Sequence, residues 1–594
     1  MSPSPRSRSR GATRTTPAPA RRCALLLAAL VLGTAACGEG AKRPVSLPET
    51  APLFPSQNRP DVRGTTGAVS ADHPLAAQAG LRVLQEGGTA MDAAIAMAGV
   101  LAVVRPHMNG VGGDAFALIR EGATGKVYAL NGSGRAGALA TRAFFTERGL
   151  DTIPQTGPLS VTVPGAVAAW VDMHERFGTV ALARLLRPAI HYARDGFPVS
   201  TRLASDFREQ GGALNEAGRA LYLPGGAPPP VGSLLRNPAL ARTLAAIARD
   251  GKDGFYRGRV ARRLGAFLEA EGGYLRAEDF ARHTSSWVEP LRGDYLGHDF
   301  LVLPPNTQGV AQLELFGMAK SFNFKEMGLN TSRYLHTLIE LKKLAFADRD
   351  RWVADPEFAD VPVERLLDPA YLAARAARVK PDVAALDVPP GIGGRAGAPE
   401  ADAELPDDRG DTVYLTAVDR WGNAVSWIQS LFHGFGSGLL EPETGVLLQD
   451  RGALFTLEEG HPNVIEPGKR PYHTLTPMMA LRDGALAFTL GTPGGDSQTQ
   501  SLLQIVHDLL IFGMTPQQAV EAPRFRSYPG LRVALEDRID PDVVRELSAL
   551  GHDIHIVHGW TATFGGAQMI RIEPSTGTLT AAADPRREAY ALAY

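Results

Sequence analysis

Residues 385–411 place the strongest constraint on how this chain folds. From Ala-Leu-Asp-Val-Pro-Pro-Gly-Ile-Gly-Gly to Asp-Asp-Arg-Gly-Asp, proline, glycine and aspartate dominate and large apolar residues nearly vanish. A connection of that length inside a compact protein is either functional or a linker. It stops at Thr412, where β-branched and aromatic residues take over. Thr412 to Asp419 and Ala424 to Ser430 read as two strands joined by the turn Arg420-Trp421-Gly422-Asn423. Setting Asp419 opposite Ala424 brings Thr412 against Ser430 or Leu431, and directly opposed Cα atoms lie roughly 4.5–5.5 Å apart. A hydroxyl at position 430 is then within hydrogen-bond reach of Thr412. Spacing alone is equally that of a polar strand edge. The abrupt change at 411/412 marks the point where the chain is expected to be cut.

The rest of the chain alternates helical and extended patterns. Pro74-Leu75-Ala76-Ala77 opens one apolar-periodic stretch, Gly87-Gly88 breaks it, and Ala90 to Val104 makes a second. Helical periodicity also marks 233–250, 260–270, 331–347 and 363–378. Strands are indicated at Phe116–Ile119, Val127–Leu130, Phe300–Leu303 and over much of the region after 412. Apolar residues at 44% and charged residues at 21% exclude a disordered chain, and a formal charge of −2 gives no electrostatic reason for a nucleic-acid partner. Beyond the N-terminus no apolar run is long enough to span a bilayer.

The first forty residues are a separate object. Arg21-Arg22 precede the apolar run Ala24 to Leu32, which is too short to cross a membrane and suited to an export signal. The run ends in Thr34-Ala35-Ala36-Cys37, small residues before a cysteine, as at a lipoprotein cleavage site. The expectation is a signal peptide over 1–37 with lipidation at Cys37, ahead of ordinary secretory cleavage after Ala36. The mature protein would then be exported, as a periplasmic or outer-membrane lipoprotein or a secreted form, touching a membrane only through that lipid. Residues 38–65, rich in Pro, Arg and Ser, read as a tether.

Two glycine runs and one histidine run carry further chemistry. Gly491-Thr492-Pro493-Gly494-Gly495-Asp496 lies between a strand and an amphipathic helix bearing Leu502, Leu503, Ile505, Val506, Leu509 and Leu510, with Asp496 or Ser497 as its cap. Unpaired N–H groups at such a helix start suit a phosphate or a developing oxyanion, and the lysine that phosphate loops add is missing. A plain strand-to-helix turn has the same residues. Gly110-Val111-Gly112-Gly113-Asp114 precedes a strand, unlike a dinucleotide fingerprint. His552, His555 and His558 invite a metal reading, but along a strand they alternate faces, so a surface strand is preferred and no metal or other cofactor is expected.

These residues also carry a resemblance. Asp411-Thr412, Asp419, Gly422-Asn423-Ala424-Val425-Ser426, Gly436-Ser437-Gly438, Gly445-Val446-Leu447-Leu448, Lys469-Arg470-Pro471 and Gly494-Gly495 resemble, in order and spacing, the small subunit of γ-glutamyltransferases. Upstream, Ala71-Asp72-His73-Pro74-Leu75-Ala76, Val163-Pro164-Gly165-Ala166-Val167, Pro290-Leu291-Arg292-Gly293-Asp294-Tyr295 and Ala347-Asp348-Arg349 extend it. Ala583-Asp584-Pro585-Arg586-Arg587 completes it. The resemblance implies an N-terminal nucleophile hydrolase, an α/β protein built as a four-layer αββα sandwich. It implies self-cleavage between Asp411 and Thr412 into a large subunit, 66–411, and a small catalytic subunit, 412–594. Thr412 would attack a small-molecule amide, Ser430 would support its hydroxyl, and Gly494 and Gly495 would hold the oxyanion. Water or an amine would then accept the acyl group.

Substrate recognition departs from that family. The position of the acid that binds the γ-glutamyl ammonium holds Leu454, the nearby asparagine is Phe432, and the paired serines are His473 and Thr474. The carboxylate-clamping arginine falls near Ser133, with Arg135 two residues on as its substitute. Arg451 is the second basic candidate and reads as a solvated surface charge. Kept catalytic parts with altered recognition parts resemble the cephalosporin-acylase-like branch. Three readings follow: a γ-glutamyl hydrolase or transferase, an amidohydrolase of the same mechanism with another acyl group, and a catalytically dead lipoprotein that only binds.

Overall fold

The computed structural model describes residues 57–393 and 411–594. Two seven-stranded antiparallel sheets lie face to face. One runs Tyr590–Ala593, Ala68–Ala71, Asp411–Val418, Ala424–Phe432, Asp114–Arg120, Val127–Gly132, Ser286–Val288. The other runs Val62–Gly64, Leu579–Ala583, Gln568–Ile572, Ala485–Gly491, Met478–Arg482, His298–Val302, Leu291–Tyr295.

The pleat explains the layers. On Asp411–Val418 the side chains of Val413, Leu415 and Ala417 join a core with the helices Pro74–Gln85, Ala90–Val104, Ala166–Phe177 and Leu182–Asp195. Tyr414 and Val418 point the other way, into a core shared with Met479, Leu481 and Ile570 of the opposite sheet. That sheet is covered in turn by Gly309–Ala319, Ser332–Trp352 and Ser497–Leu510. The result is the expected αββα sandwich. Strands enclosed on both faces lose the usual polar alternation, and every residue of Asp411–Val418 and of Ala424–Phe432 is buried. Each large aliphatic side chain so enclosed contributes roughly 1.5–3 kcal/mol.

The helix Ala90–Val104 is buried along all fifteen residues, as a helix apolar on every side must be. It begins at a capping box in which Asp92 N–H donates to Thr89 Oγ1 and Thr89 N–H donates to Asp92 Oδ2. Its start is also tied to the hairpin. Asp419 Oδ2 accepts from Ala90 N–H at 2.8 Å, while its Oδ1 accepts from Trp421 and Asn423 N–H across the turn. Gly422, at φ +75°, supplies the left-handed residue that this turn requires.

Two boundaries differ from the sequence reading. The described end of the 38–65 tether is docked: Val62–Gly64 is an edge strand on Leu579–Ala581, and Asn58 and Arg59 N–H donate to Glu521. Polar residues there satisfy a sheet edge, a partner that local composition does not reveal. The helical pattern 363–378 splits into Val363–Leu366 and Pro369–Ala376, because Asp368 caps a new start with Pro369 in its first turn. Cys37 and the export segment lie outside the described residues, as do residues 394–410 of the Pro/Gly/Asp-rich connection. No helix among the described residues is long and apolar enough to cross a membrane.

Candidate active site

Thr412 stands opposite Ser430 in the hairpin, and the register shifts between Asp411 and Thr412, so that Asp411 pairs with Phe432. The bulge falls on the bond expected to break. Phe432 has φ +87°, a conformation that a non-glycine residue adopts only where the surroundings enforce it. Ser430 Oγ is the hub of the site. It accepts from Thr412 Oγ1 at 3.0 Å, from Phe432 N–H at 2.8 Å and from Arg451 Nη2 at 2.9 Å. Its own hydroxyl donates to the Asp411 carbonyl oxygen at 2.9 Å.

Behind Ser430 lies the strand Asp114–Arg120, where Asp114 pairs with Ser430. Gly113 has to be glycine, because a Cβ there would collide with the Ser430 carbonyl oxygen. Asp114 Oδ1 accepts from Gly134 and Gly165 N–H. Burial pushes its carboxyl up to about 7, against the pull of Arg451. Its Oδ2 faces His473 Nε2 at 3.6 Å, and that nitrogen is 2.9 Å from Ser133 Oγ. Burial, with Arg451 and Arg470 nearby, holds His473 well below the usual imidazole range and therefore neutral. Asn306 donates to Ser133 Oγ and to the Pro471 carbonyl, and accepts from Asn131 Nδ2. His473 is thus a fixed part of a buried polar wall.

Arg451 corrects the sequence reading. It is fully buried, in the short 3₁₀ turn Arg451–Leu454, with Nη2 on Ser430, Nη1 3.4 Å from Thr474 Oγ1, and its guanidinium 4.5 Å from the Phe432 ring centre. It makes no ion pair among the described residues; Asp450 is bound to His433 at 2.6 Å. Burial lowers its pKa to about 10, so it stays charged at neutral pH. The sequence misled because a lone arginine three residues before Leu454 has no local sign of burial. Arg135 is engaged elsewhere. Its fork is taken up by the Gly468 carbonyl and Glu357, and it forms no hydrogen bond or ion pair with Thr412, Ser430 or Thr474.

The glycine loop comes from the opposite sheet. Thr416 Oγ1 lies 2.6 Å from Thr489 Oγ1, and the Tyr414 ring packs so close to Gly491 that a Cβ there would collide with it. Thr412, two residues from Tyr414 on the same face, is turned toward the loop that follows Gly491. Gly494 has φ +122° and Gly495 φ +56°. Both are buried, and neither N–H donates to an acceptor among the described residues. Buried N–H groups without partners are costly, and suit a site built to receive an oxyanion. Asp496 precedes the helix Ser497–Leu510 without a side-chain cap bond. Its carboxylate instead takes a bidentate pair from Arg349, which also donates to Gln308.

The three histidines do not converge. His555 faces Asp553 and His558 faces Asp537 on the surface, while His552 is buried with its Nε2 2.8 Å from His336 Nδ1. His336, Glu340 and His552 bring ligand atoms within 4.8 Å of one another, but a direct nitrogen–nitrogen hydrogen bond fills the space between the rings. Glu340 is already engaged by Lys343 and Ala385 N–H.

The sequence reading missed Asp114, Ser133 and Asn306. Asp114 closes the Gly110–Gly113 run, and that position was its available signal. Known proteins share this architecture. The family model described as gamma-glutamyltranspeptidase matches residues 76–594. The chain is 37% identical to the glutathione hydrolase-like YwrD proenzyme of Bacillus subtilis over 541 residues, covering 89% of this chain and 99% of that protein. It is 36% identical to the oxamate amidohydrolase proenzyme of Klebsiella pneumoniae over 552 residues, covering 89% and 99%. The crystal structure of cephalosporin acylase from Bacillus halodurans superposes with a TM-score of 0.83 at 36% identity, covering 92% of this chain and 99% of that one.

Proposed function

The chain belongs to the gamma-glutamyltranspeptidase family, and we propose that within it this enzyme cleaves amides whose acyl group carries a carboxylate but no α-ammonium. Maturation by cleavage at Asp411–Thr412 turns the Thr412 nitrogen from an amide into an amine of pKa about 7.7–8.0, a base suited to neutral pH. The Thr412 hydroxyl then attacks the amide carbonyl, losing its proton to that amine. Gly494 and Gly495 N–H stabilise the oxyanion, and the amine leaves with the proton. Water or a second amine releases the acyl group from Thr412.

One observation carries the substrate reading: the buried Arg451 guanidinium beside Ser430 and Thr474, with Leu454 and Phe432 where an ammonium would need an acid and an amide. An unpaired ammonium in such a site costs several kcal/mol, whereas a carboxylate finds a charged, planar donor. Thr474 supports that anchor; His473 helps to shape the wall behind it. The γ-glutamyl reading is the alternative and has the family's name in its favour.

The test is kcat/KM for a glutaryl anilide against its γ-glutamyl counterpart. Glutaryl is expected to be cleaved at least as well, and Leu454→Asp with Phe432→Asn is expected to move preference toward γ-glutamyl. A wild-type preference for γ-glutamyl of about tenfold, ~1.4 kcal/mol in transition-state binding, overturns the reading. The export signal supports placing this activity outside the cytoplasm, on a lipid anchor at Cys37. Fatty-acid labelling that Cys37→Ser abolishes would establish the anchor.

A further inference from the structure

The structure joins three groups at the bond expected to break, and their hydrogen bonds form a directed chain. Thr412 O–H donates to Ser430 Oγ, and Ser430 O–H donates to the Asp411 carbonyl oxygen. Before cleavage the Thr412 nitrogen is an amide and is no base, so its hydroxyl needs another route for its proton. That route is present: the proton passes to Ser430 as the Ser430 proton passes to the carbonyl oxygen.

We propose that Arg451 is the positioning residue that makes Ser430 a proton relay for cleavage of the Asp411–Thr412 bond. This rests on the reading that the chain is cut there, and goes beyond it by naming what drives the cut. Arg451 Nη2 donates onto the relay oxygen itself, and Phe432 N–H does so from the bulge. A hydroxyl oxygen has two lone pairs, so Arg451 Nη2 and Phe432 N–H share one while Thr412 O–H holds the other; the charged donor makes the Ser430 O–H more acidic and turns its proton toward the Asp411 oxygen. Thr474 Oγ1 steadies the other arm of the fork, and the Phe432 ring flanks the guanidinium. Arg451 has no carboxylate partner among the described residues to draw it off this duty. From the other side, Arg587 lies 3.4 Å from Asp411 Oδ1 and anchors the residue whose carbonyl is attacked.

The step balances without an outside reagent. A bond forms from Thr412 Oγ1 to the Asp411 carbonyl carbon as the carbonyl π pair moves onto oxygen and is protonated through Ser430. The neutral hydroxy-oxazolidine then breaks its C–N bond, its hydroxyl proton going to the Thr412 nitrogen. An ester and a free amine remain, and water splits the ester into the Asp411 carboxylate and the Thr412 hydroxyl. The catalytic glycine loop is not needed for this relay, so one nucleophile uses different oxyanion donors before and after maturation.

The experiment follows self-cleavage of purified full-length precursor by denaturing gel and mass spectrometry, with and without hydroxylamine, which traps the ester. Arg451→Met keeps most of the side-chain volume and removes the charge. It is expected to slow cleavage about 100-fold, with no rescue by hydroxylamine, because ester formation has become limiting. Added guanidinium ion is expected to restore part of the rate, and Arg451→Lys to fall between Met and wild type. Cleavage of Arg451→Met at the wild-type rate overturns the proposal, as does full rescue by hydroxylamine, which would place the defect in ester hydrolysis. If the Met variant does not fold, Arg451→Lys decides: wild-type hydroxylamine-independent kinetics with a folded spectrum overturn it. A wild-type chain that never yields a fragment starting at Thr412 fails the underlying cleavage reading instead, a distinguishable result.

Discussion

Thr416 and Thr489 share a 2.6 Å hydrogen bond across the interface between the two sheets. It is a polar contact inside an apolar layer, and Thr416 Oγ1 also donates to the Val425 carbonyl, so its proton and lone pairs are used locally. Because side chains alternate along a strand, this contact sets which residue of Asp411–Val418 lies over which residue of Ala485–Gly491. The register turns Thr412 toward the loop that follows Gly491, which carries Gly494 and Gly495.

That placement predicts the effect of crowding the loop. At φ +56° Gly495 has the milder left-handed conformation of the pair, and Gly495→Ala is the gentler probe; a Cβ on Gly494 would collide with Ser497 Oγ. Gly495→Ala is expected to leave the precursor folded and self-cleaving. Alanine keeps the backbone N–H, so turnover should drop only as far as the added Cβ tilts or shields that donor, at most the roughly 10²–10³ that losing one oxyanion donor costs. Steady-state kinetics on the matured variant make the measurement; unchanged kcat would show that the reacting oxygen does not sit against the Gly495 Cα.

Removal of the Thr412 hydroxyl separates maturation from folding. Thr412→Ala is expected to stay one chain, fold normally and hydrolyse nothing, since a methyl side chain has no attacking oxygen. Wild type is expected to give a small fragment that begins at Thr412 and ends at Tyr594. N-terminal sequencing that finds any other start would end the proposed mechanism.

A third outcome concerns acid. His507 is fully buried, 2.8 Å from Tyr295 Oη and 3.2 Å from Tyr334 Oη, and burial lowers its pKa to about 3. The unfolded imidazole titrates near ~6.5. Below that pH the unfolded chain binds a proton that the folded chain refuses, so this contribution is intact above pH ~6.5 and is lost as the pH falls toward 3. His73 and His283, lowered to about 3 by burial, act in the same direction. In the uncleaved Thr412→Ala background, urea unfolding at pH 7, 6, 5 and 4 should show the stability of His507→Gln falling less steeply than that of its parent. The difference should approach ~1.4 kcal/mol per pH unit. Parallel profiles would show that His507 is not held neutral.

The features legible in the sequence share a local cause. The Pro/Gly/Asp-rich stretch, the β-branched run after it and the Gly422 turn act over a few residues, and they suffice to bring Thr412 against Ser430 or Leu431; the bulge at Asp411/Thr412 settles it as Ser430. Ordered landmarks over most of the chain were enough for the αββα fold and for Gly494 and Gly495 as a loop with free N–H groups. The fate of single polar side chains was decided only in three dimensions. Arg451 and Arg135 look alike in sequence, yet one is enclosed against Ser430 and the other is bound to Glu357 at the surface. Asp114 and His473 become neighbours because strands far apart in the chain meet in one wall, and residues 57–65 are ordered by the sheet edge at Leu579–Ala581. Burial and charge pairing depend on every element packed around a group, whereas turn and strand preference depend on the residue and its immediate neighbours. The hairpin that carries Thr412 and Ser430 could therefore be read from the sequence, and the cation beside it could not.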